Sequence, residues 1–268
     1  LLGLIEIGDG AAAAGSGRIR AALAEAPGML TAWSNLGTAL RRAGQPAEAL
    51  ACFARVLDAM PDDPDALAGR GYALRDLGRM PDAIATLARA AALRPNDGSV
   101  RAALALALQA EHRHAEAEAA LRAAIALRPT DATLPLNLGV SLRALGRTAE
   151  ATPAFHRALE LRPDYPEALV NLGAVALEAK AFAESEALQR RALALQPHSA
   201  AAHIGLGNAQ LARRQPAEAA ASYRIAIGLA PQRLDARTNL HAALSRLKTW
   251  SEMRDNAAAI RAAHPAAA

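Results

Sequence analysis

Eight prolines of this chain share one phase. Pro27, Pro61, Pro95, Pro129, Pro163, Pro197, Pro231 and Pro265 each stand 34 residues from the next, in a chain that holds 15 prolines in all. A fixed period of this length marks a solenoid, in which each small unit packs only on its neighbours. A chain of 268 residues would ordinarily divide into two domains. The unbroken period replaces that expectation with one repeating array.

The period from Leu30 to Asp63 shows the plan. It reads as two short amphipathic helices, A and B, with a turn at Gly44-Gln45-Pro46 and a close at Pro61. Short helices of this kind are marginal alone in water, so stacking has to hold them. Small residues mark the close approaches. The eighth position of successive units carries Gly37, Gly71, Ala105, Gly139, Gly173, Gly207 and His241. The twentieth carries Ala49, Ala83, Ala117, Ala151, Ser185, Ala219 and Met253. A large side chain there would hold paired helices apart or strain them by about 1–3 kcal/mol. Phe53, Leu87, Leu121, Phe155 and Tyr223 supply the bulk between units, and Gln189 breaks that series, which predicts a locally loose fifth unit.

The punctuation agrees with the period. Gly44, Gly78 and Gly146 fall where a left-handed residue would end helix A. Asp63 before Pro64 reads as an N-cap followed by proline at the first helical position. Pro153 falls inside a B helix, where it removes a hydrogen bond and predicts a kink. Residues 1–29 form a degenerate leading unit, with a helix remnant over Leu1 to Glu6 and a second helix near Ala13 to Ala26. Seven units follow, at 30–63, 64–97, 98–131, 132–165, 166–199, 200–233 and 234–267. In the last, His241, Lys248 and Arg261 replace a Gly, a turn Gly and an apolar residue, as suits a polar terminal cap or a passage into another domain.

Trp33, Leu36, Gly37, Ala49, Phe53 and Pro61 stand at the W-x2-L-G, A-x3-F and P positions of the tetratricopeptide repeat. The chain resembles that family from Leu30 to Ala267. The resemblance implies an all-α solenoid of antiparallel helix pairs wound into a right-handed superhelix. It also implies that the A helices line a concave groove for partner peptides.

Composition limits the alternatives. Hydrophobic residues make up 52% and aromatics 3%, so the apolar content is mostly Ala and Leu. The net charge of +4 comes from 30 basic and 26 acidic residues that alternate along the helices. That is a solvated face, so protein is the expected partner and nucleic acid is not. No apolar run is long enough to span a membrane, and no leader followed by a cleavage site opens the chain. A cytoplasmic location is the expectation. Cys52 is alone and cannot form an internal disulfide. Catalytic patterns are absent: His112-x-His114 sits in a turn, Asp62-Asp63-Pro64-Asp65 lacks the Gly and Glu of a calcium loop, and no phosphate-binding loop occurs. We therefore expect a non-enzymatic chain with no cofactor and no metal.

Helical spacing selects the groove positions. The sixth position carries Asn35, Asn137, Asn171 and Asn239, interrupted by Gly69, Ala103 and Gly205. Helix interiors disfavour Asn. An amide offers donor and acceptor together, so this row either pairs with a partner's backbone or ties adjacent helices to each other. Arg41, Arg42, Tyr72 and Arg75 make one end of the groove basic. Leu106, Leu136, Val140, Val170, Leu177, Ile204 and Leu211 make its middle apolar. The asparagine row resembles that of the O-GlcNAc transferase repeat region. Asp235, Asn239, Leu244 and Trp250-Ser251-Glu252 resemble the last repeat before the catalytic part of O-GlcNAc transferase and SPINDLY-like glycosyltransferases. Two functions follow as expectations: a scaffold that holds a peptide or partner helix in its groove, or the substrate-binding arm of a larger glycosyltransferase of that kind.

Overall fold

The computed structural model describes residues 12–26 and 28–263. The expected remnant over Leu1 to Glu6, and Pro27 and Pro265, lie outside the described residues. Every regular element among the described residues is an α-helix. They are α1 (Ala12–Glu25), α2 (Leu30–Arg42), α3 (Pro46–Ala59), α4 (Pro64–Asp76), α5 (Met80–Leu93), α6 (Gly98–Ala110), α7 (His114–Leu127), α8 (Thr133–Ala144), α9 (Thr148–Leu161), α10 (Pro166–Glu178), α11 (Phe182–Leu195), α12 (Ala200–Ala212), α13 (Pro216–Leu229), α14 (Leu234–Leu247) and α15 (Trp250–Ala263). They fall into two compact units, Leu1–Leu145 and Gly146–Ala268. Within each unit, consecutive helices pack on one another.

The periodic proline has a local cause. In Met60-Pro61-Asp62-Asp63 the Asp63 N–H donates to the Met60 carbonyl at 3.1 Å, a β-turn with proline at its second residue. Asp97, Asp131, Ser199 and Arg233 close the same turn after Pro95, Pro129, Pro197 and Pro231. The capping aspartate is also as expected: Asp63 Oδ1 accepts from the Ala66 N–H at 2.7 Å. Helix A ends on one hydrogen-bond pattern in six of the seven units. Gln45 N–H donates to the Leu40 carbonyl and Gly44 N–H to the Arg41 carbonyl, which satisfies two of the last carbonyls around a left-handed residue. Gly44, Gly78 and Gly146 hold that position at φ 76°, 73° and 75°. His112, Lys180, Arg214 and Lys248 hold it elsewhere at φ 57° to 63° despite their side chains.

Size complementarity runs through the packing. The large side chain at the twenty-fourth position of a B helix enters a slot between two A helices. Phe53 fills that slot in the first unit. A Cβ on Gly37 would lie 2.9 Å from its ring, and one on Gly69 of the next A helix would lie 2.3 Å away. Tyr223 does the same against Gly207, at 2.5 Å. The sixth and eighth positions are therefore the two walls of one slot.

Gln189 corrects the expectation of a loose fifth unit. It is 1% exposed and occupies the same slot, with Gly173 and Gly205 as its walls. Its Nε2 donates to the Val170 carbonyl at 3.1 Å, while its Oε1 is buried without a partner. The glycine walls make room for the amide, so the packing stays tight and the cost appears as an unpaired oxygen. Leucine fills the equivalent positions at Leu87 and Leu121, both fully buried. Gln189→Leu should raise the unfolding midpoint, worth roughly 1–2 kcal/mol, because an unpaired buried acceptor costs more than one net hydrogen bond returns. Urea unfolding followed by circular dichroism reads this, and a lowered midpoint would show the amide is needed.

α9 runs on through Pro153, from Thr148 to Leu161. In the last unit the sizes at the two positions are exchanged, with His241 at the eighth and Ala257 at the twenty-fourth. Trp250 is 61% exposed there, and Asn256 is buried, donating to the Arg237 carbonyl at 2.9 Å.

Candidate functional site

Three A helices of the first unit, α2, α4 and the start of α6, enclose a hollow of about 560 Å³. Val56, Ala68 and Gly69 are its buried lining residues and so form its floor, while Met60 is an exposed one. The hollow exists because Gly69 carries no side chain. Phe53 beneath it leaves no room for one, so the interruption of the asparagine row at Gly69 has a packing cause. At Asn137 the side chain in the corresponding place is Leu121, which is smaller.

Four of the expected contact residues meet here. Asn35, Arg41, Arg42 and Tyr72 all line the hollow. Arg41 is held: Nη1 donates to Asp76 Oδ2 at 2.9 Å, and its guanidinium lies 5.4 Å from the centre of the Tyr72 ring. Arg75 stands outside the hollow but shares Asp76, at 3.3 Å. By contrast, Asn35, Arg42 and the Tyr72 hydroxyl make no hydrogen bond or ion pair with the other described residues. Burial, and then the Asp97 carboxylate, push the Tyr72 phenol above its usual range, so it stays a neutral donor.

The expected basic end carries acid as well. Asp63, Asp65 and Asp97 line the same hollow. Asp97 Oδ1 accepts from the Ser99 and Val100 N–H groups at 2.9 and 3.0 Å, capping α6. Asp65 is paired with Arg94, whose hydrogen bonds hold its carboxyl below the ordinary carboxylate range. From sequence, Asp63 reads as a cap and Asp65 as part of a run that lacks the Gly and Glu of a calcium loop, while Asp97 draws no reading. Asp63, Asp97 and Asp131 recur 34 residues apart just before three successive A helices, and that recurrence was the available signal. Gly69, Met60 and Ser34 were likewise missed as lining residues.

The other candidates lie elsewhere. Asn137 and Val140 are half-buried on α8, and the Asn137 carbonyl accepts from Gln109 Nε2 at 2.8 Å. Leu136 is 8% exposed and Ile204 is 6%, so both are core residues rather than an apolar groove lining. Their part of the helix faces the neighbouring helix, not solvent. Leu106 remains accessible at 39%. In the second unit, Asn171 Nδ2 donates to the Glu167 carbonyl of its own helix at 2.8 Å. Val170 packs against Leu169, Ala192 and Ala202. Asn239 Nδ2 donates to Asn208 Oδ1 at 2.9 Å, and the Tyr223 hydroxyl donates to the same oxygen at 2.8 Å.

Among the described residues no three His, Cys, Asp or Glu groups stand close enough to hold a metal ion. The His112 and His114 rings are 5.9 Å apart, edge to face. No described helix is long and apolar enough to cross a membrane.

A family model described as tetratricopeptide repeat matches residues 34–98, 102–152, 136–200 and 182–233. No curated protein matches the sequence. Among solved structures the chain is similar to one in the APC/C hetero-tetramer Cut9-Hcn1, at 17% identity and a TM-score of 0.73, covering 95% of this chain and 50% of that one. It therefore spans half the length of that relative. It is also similar to PilW, a type IV pilus biogenesis factor, at 21% identity and a TM-score of 0.68, covering 76% of this chain and 94% of PilW. YrrB, described as a TPR protein with an unusual peptide-binding site, is 19% identical with a TM-score of 0.57, covering 71% of this chain and 96% of YrrB. Such identities bear on fold alone. The 34-residue period, the paired helices and the family match together place this chain in the tetratricopeptide repeat family.

Proposed function

We propose that the chain is a non-catalytic scaffold for protein–protein interaction, and that it holds an extended peptide or a partner helix in the hollow over Gly69. One observation carries this reading. Around a small apolar floor stand three polar groups that the fold does not use: the Asn35 amide, the Arg42 guanidinium and the Tyr72 hydroxyl. An amide can pair with a backbone of any sequence, and an unpaired guanidinium attracts a carboxylate. A peptide offers both kinds of partner in a repeating geometry.

The charge pattern supports protein over nucleic acid as the partner. Arg89 pairs with Asp62, Arg94 with Asp65, Arg113 with Glu116, and Arg224 with Glu252. These arginines offer no open basic face. The glycosyltransferase-arm alternative leans on the asparagine row, and two of its four amides, Asn171 and Asn239, bond within the fold. The hollow thus supports the scaffold reading more directly.

Asn35→Ala tests the reading. Affinity for a peptide selected against the chain should fall by roughly 0.5–1.5 kcal/mol, or about 2- to 12-fold. The helix should be no less stable, because Ala is the better helix former. Titration calorimetry with a thermal melt as control reads both, and unchanged affinity removes the amide from the site.

A further inference from the structure

Resting on that reading, we infer that the occupant is an extended segment of about five residues with a basic side chain at one end, a large apolar one in the middle and an acidic one at the other. The hollow is polar along its length. Two antiparallel steps bring the A helices back to one direction, so their starts share one edge and their ends share the other. Arg41 at the end of α2 reaches Asp76 at the end of α4, which fixes that alignment. Asp63 and Asp97 therefore mark one edge, and Arg42 marks the opposite edge. Arg42 is the cation of the hollow with no internal carboxylate, since Arg41 is held by Asp76.

The span sets the length of the occupant. From Thr31 to Arg42 a helix rises about 16 Å, at 1.5 Å per residue. Extended chain covers about 3.3 Å per residue, so about five residues bridge the two edges. Midway lies Gly69, where the floor is apolar and recessed because Phe53 excludes any side chain. That recess receives the central apolar group. A segment with two like charges would set one of them against a wall of the same sign.

The test is selection of a phage-displayed library of random 12-residue peptides on the full chain, followed by binding to two variants. Phe53→Leu/Gly69→Asn fills the recess, using the Leu121 and Asn137 combination that the chain itself carries at the corresponding positions. Arg42→Glu reverses one edge and touches no internal partner. Selected peptides should carry the basic, apolar, acidic order in either chain direction and should lose at least tenfold in binding to the filled variant. Peptides selected afresh from the same library on Arg42→Glu should carry a basic residue in place of the acidic one. Peptides that depend on the recess but lack the charge order, or whose order survives Arg42→Glu, overturn this inference and leave the scaffold reading standing. If neither variant changes the capture of any peptide, the hollow is not the site and both fall. Should the filled variant melt early, the Arg42→Glu arm decides alone.

Discussion

Gly207→Leu should lower the unfolding midpoint sharply, while Gly17→Leu should leave it unchanged or raise it. Both glycines lie inside helices, so helix propensity favours leucine at each by about 0.5–1 kcal/mol. Their surroundings differ. A Cβ on Gly207 would lie 2.5 Å from Tyr223 Cε1 and 2.8 Å from Cζ. Tyr223 is fully buried and cannot swing away without breaking its hydrogen bond to Asn208, which Asn239 shares. Overpacking costs typically about 1–3 kcal/mol, and the lost hydrogen bond adds about 1 kcal/mol. A net loss of about 1–3 kcal/mol follows. Gly17 has nothing within 4 Å of its Cβ position. Urea unfolding of the two variants reads the difference. Equal midpoints would show that the Gly207 wall of the Tyr223 slot is soft.

Gly69→Asn should be costly alone and tolerated once Phe53 is made smaller. The Cβ position on Gly69 is 2.3 Å from Phe53 Cζ, and Phe53 is fully buried. The single change should cost about 3 kcal/mol by forcing the ring or the helix aside. Phe53→Leu alone should cost roughly 1–2 kcal/mol from lost apolar volume. The double variant should cost less than the sum, with a coupling of about 2 kcal/mol between touching residues. Additive losses would mean that the slot does not link these positions. The cycle matters beyond stability, because the same contact opens the hollow. A core residue, Phe53, sets the depth of a surface feature three helices build.

Much of this was readable in advance. Proline in phase gave the period, and the turn from Met60 to Asp63 explains it. Glycine at Gly44 and aspartate before Pro64 gave the helix ends, because each satisfies a particular orphan group of the helix. Where other residues take the same backbone conformation, as at His112, Lys180 and Arg214, the pattern fell silent: only glycine advertises a left-handed turn. Gln189 misled because a polar residue at a core position reads as a defect, and its two glycine walls are 16 residues away on either side in sequence. The site was partly legible. Helical spacing placed Asn35, Arg41, Arg42 and Tyr72 on one face. It could not show that Asp76 occupies Arg41, that Asn171 and Asn239 spend amide protons inside the fold, or that Leu136 is buried. Those depend on contacts between helices, which a period does not specify.

The most direct measurement is an NMR titration of the full chain, isotopically labelled, with a peptide selected against it. The shifts should concentrate on Asn35, Arg42, Gly69 and Tyr72, including the Asn35 side-chain amide, and should saturate with the affinity found by calorimetry. Perturbations confined to the B helices or to α10 through α15, with Asn35 and Gly69 unmoved at saturation, would contradict the assignment of the hollow as the binding site.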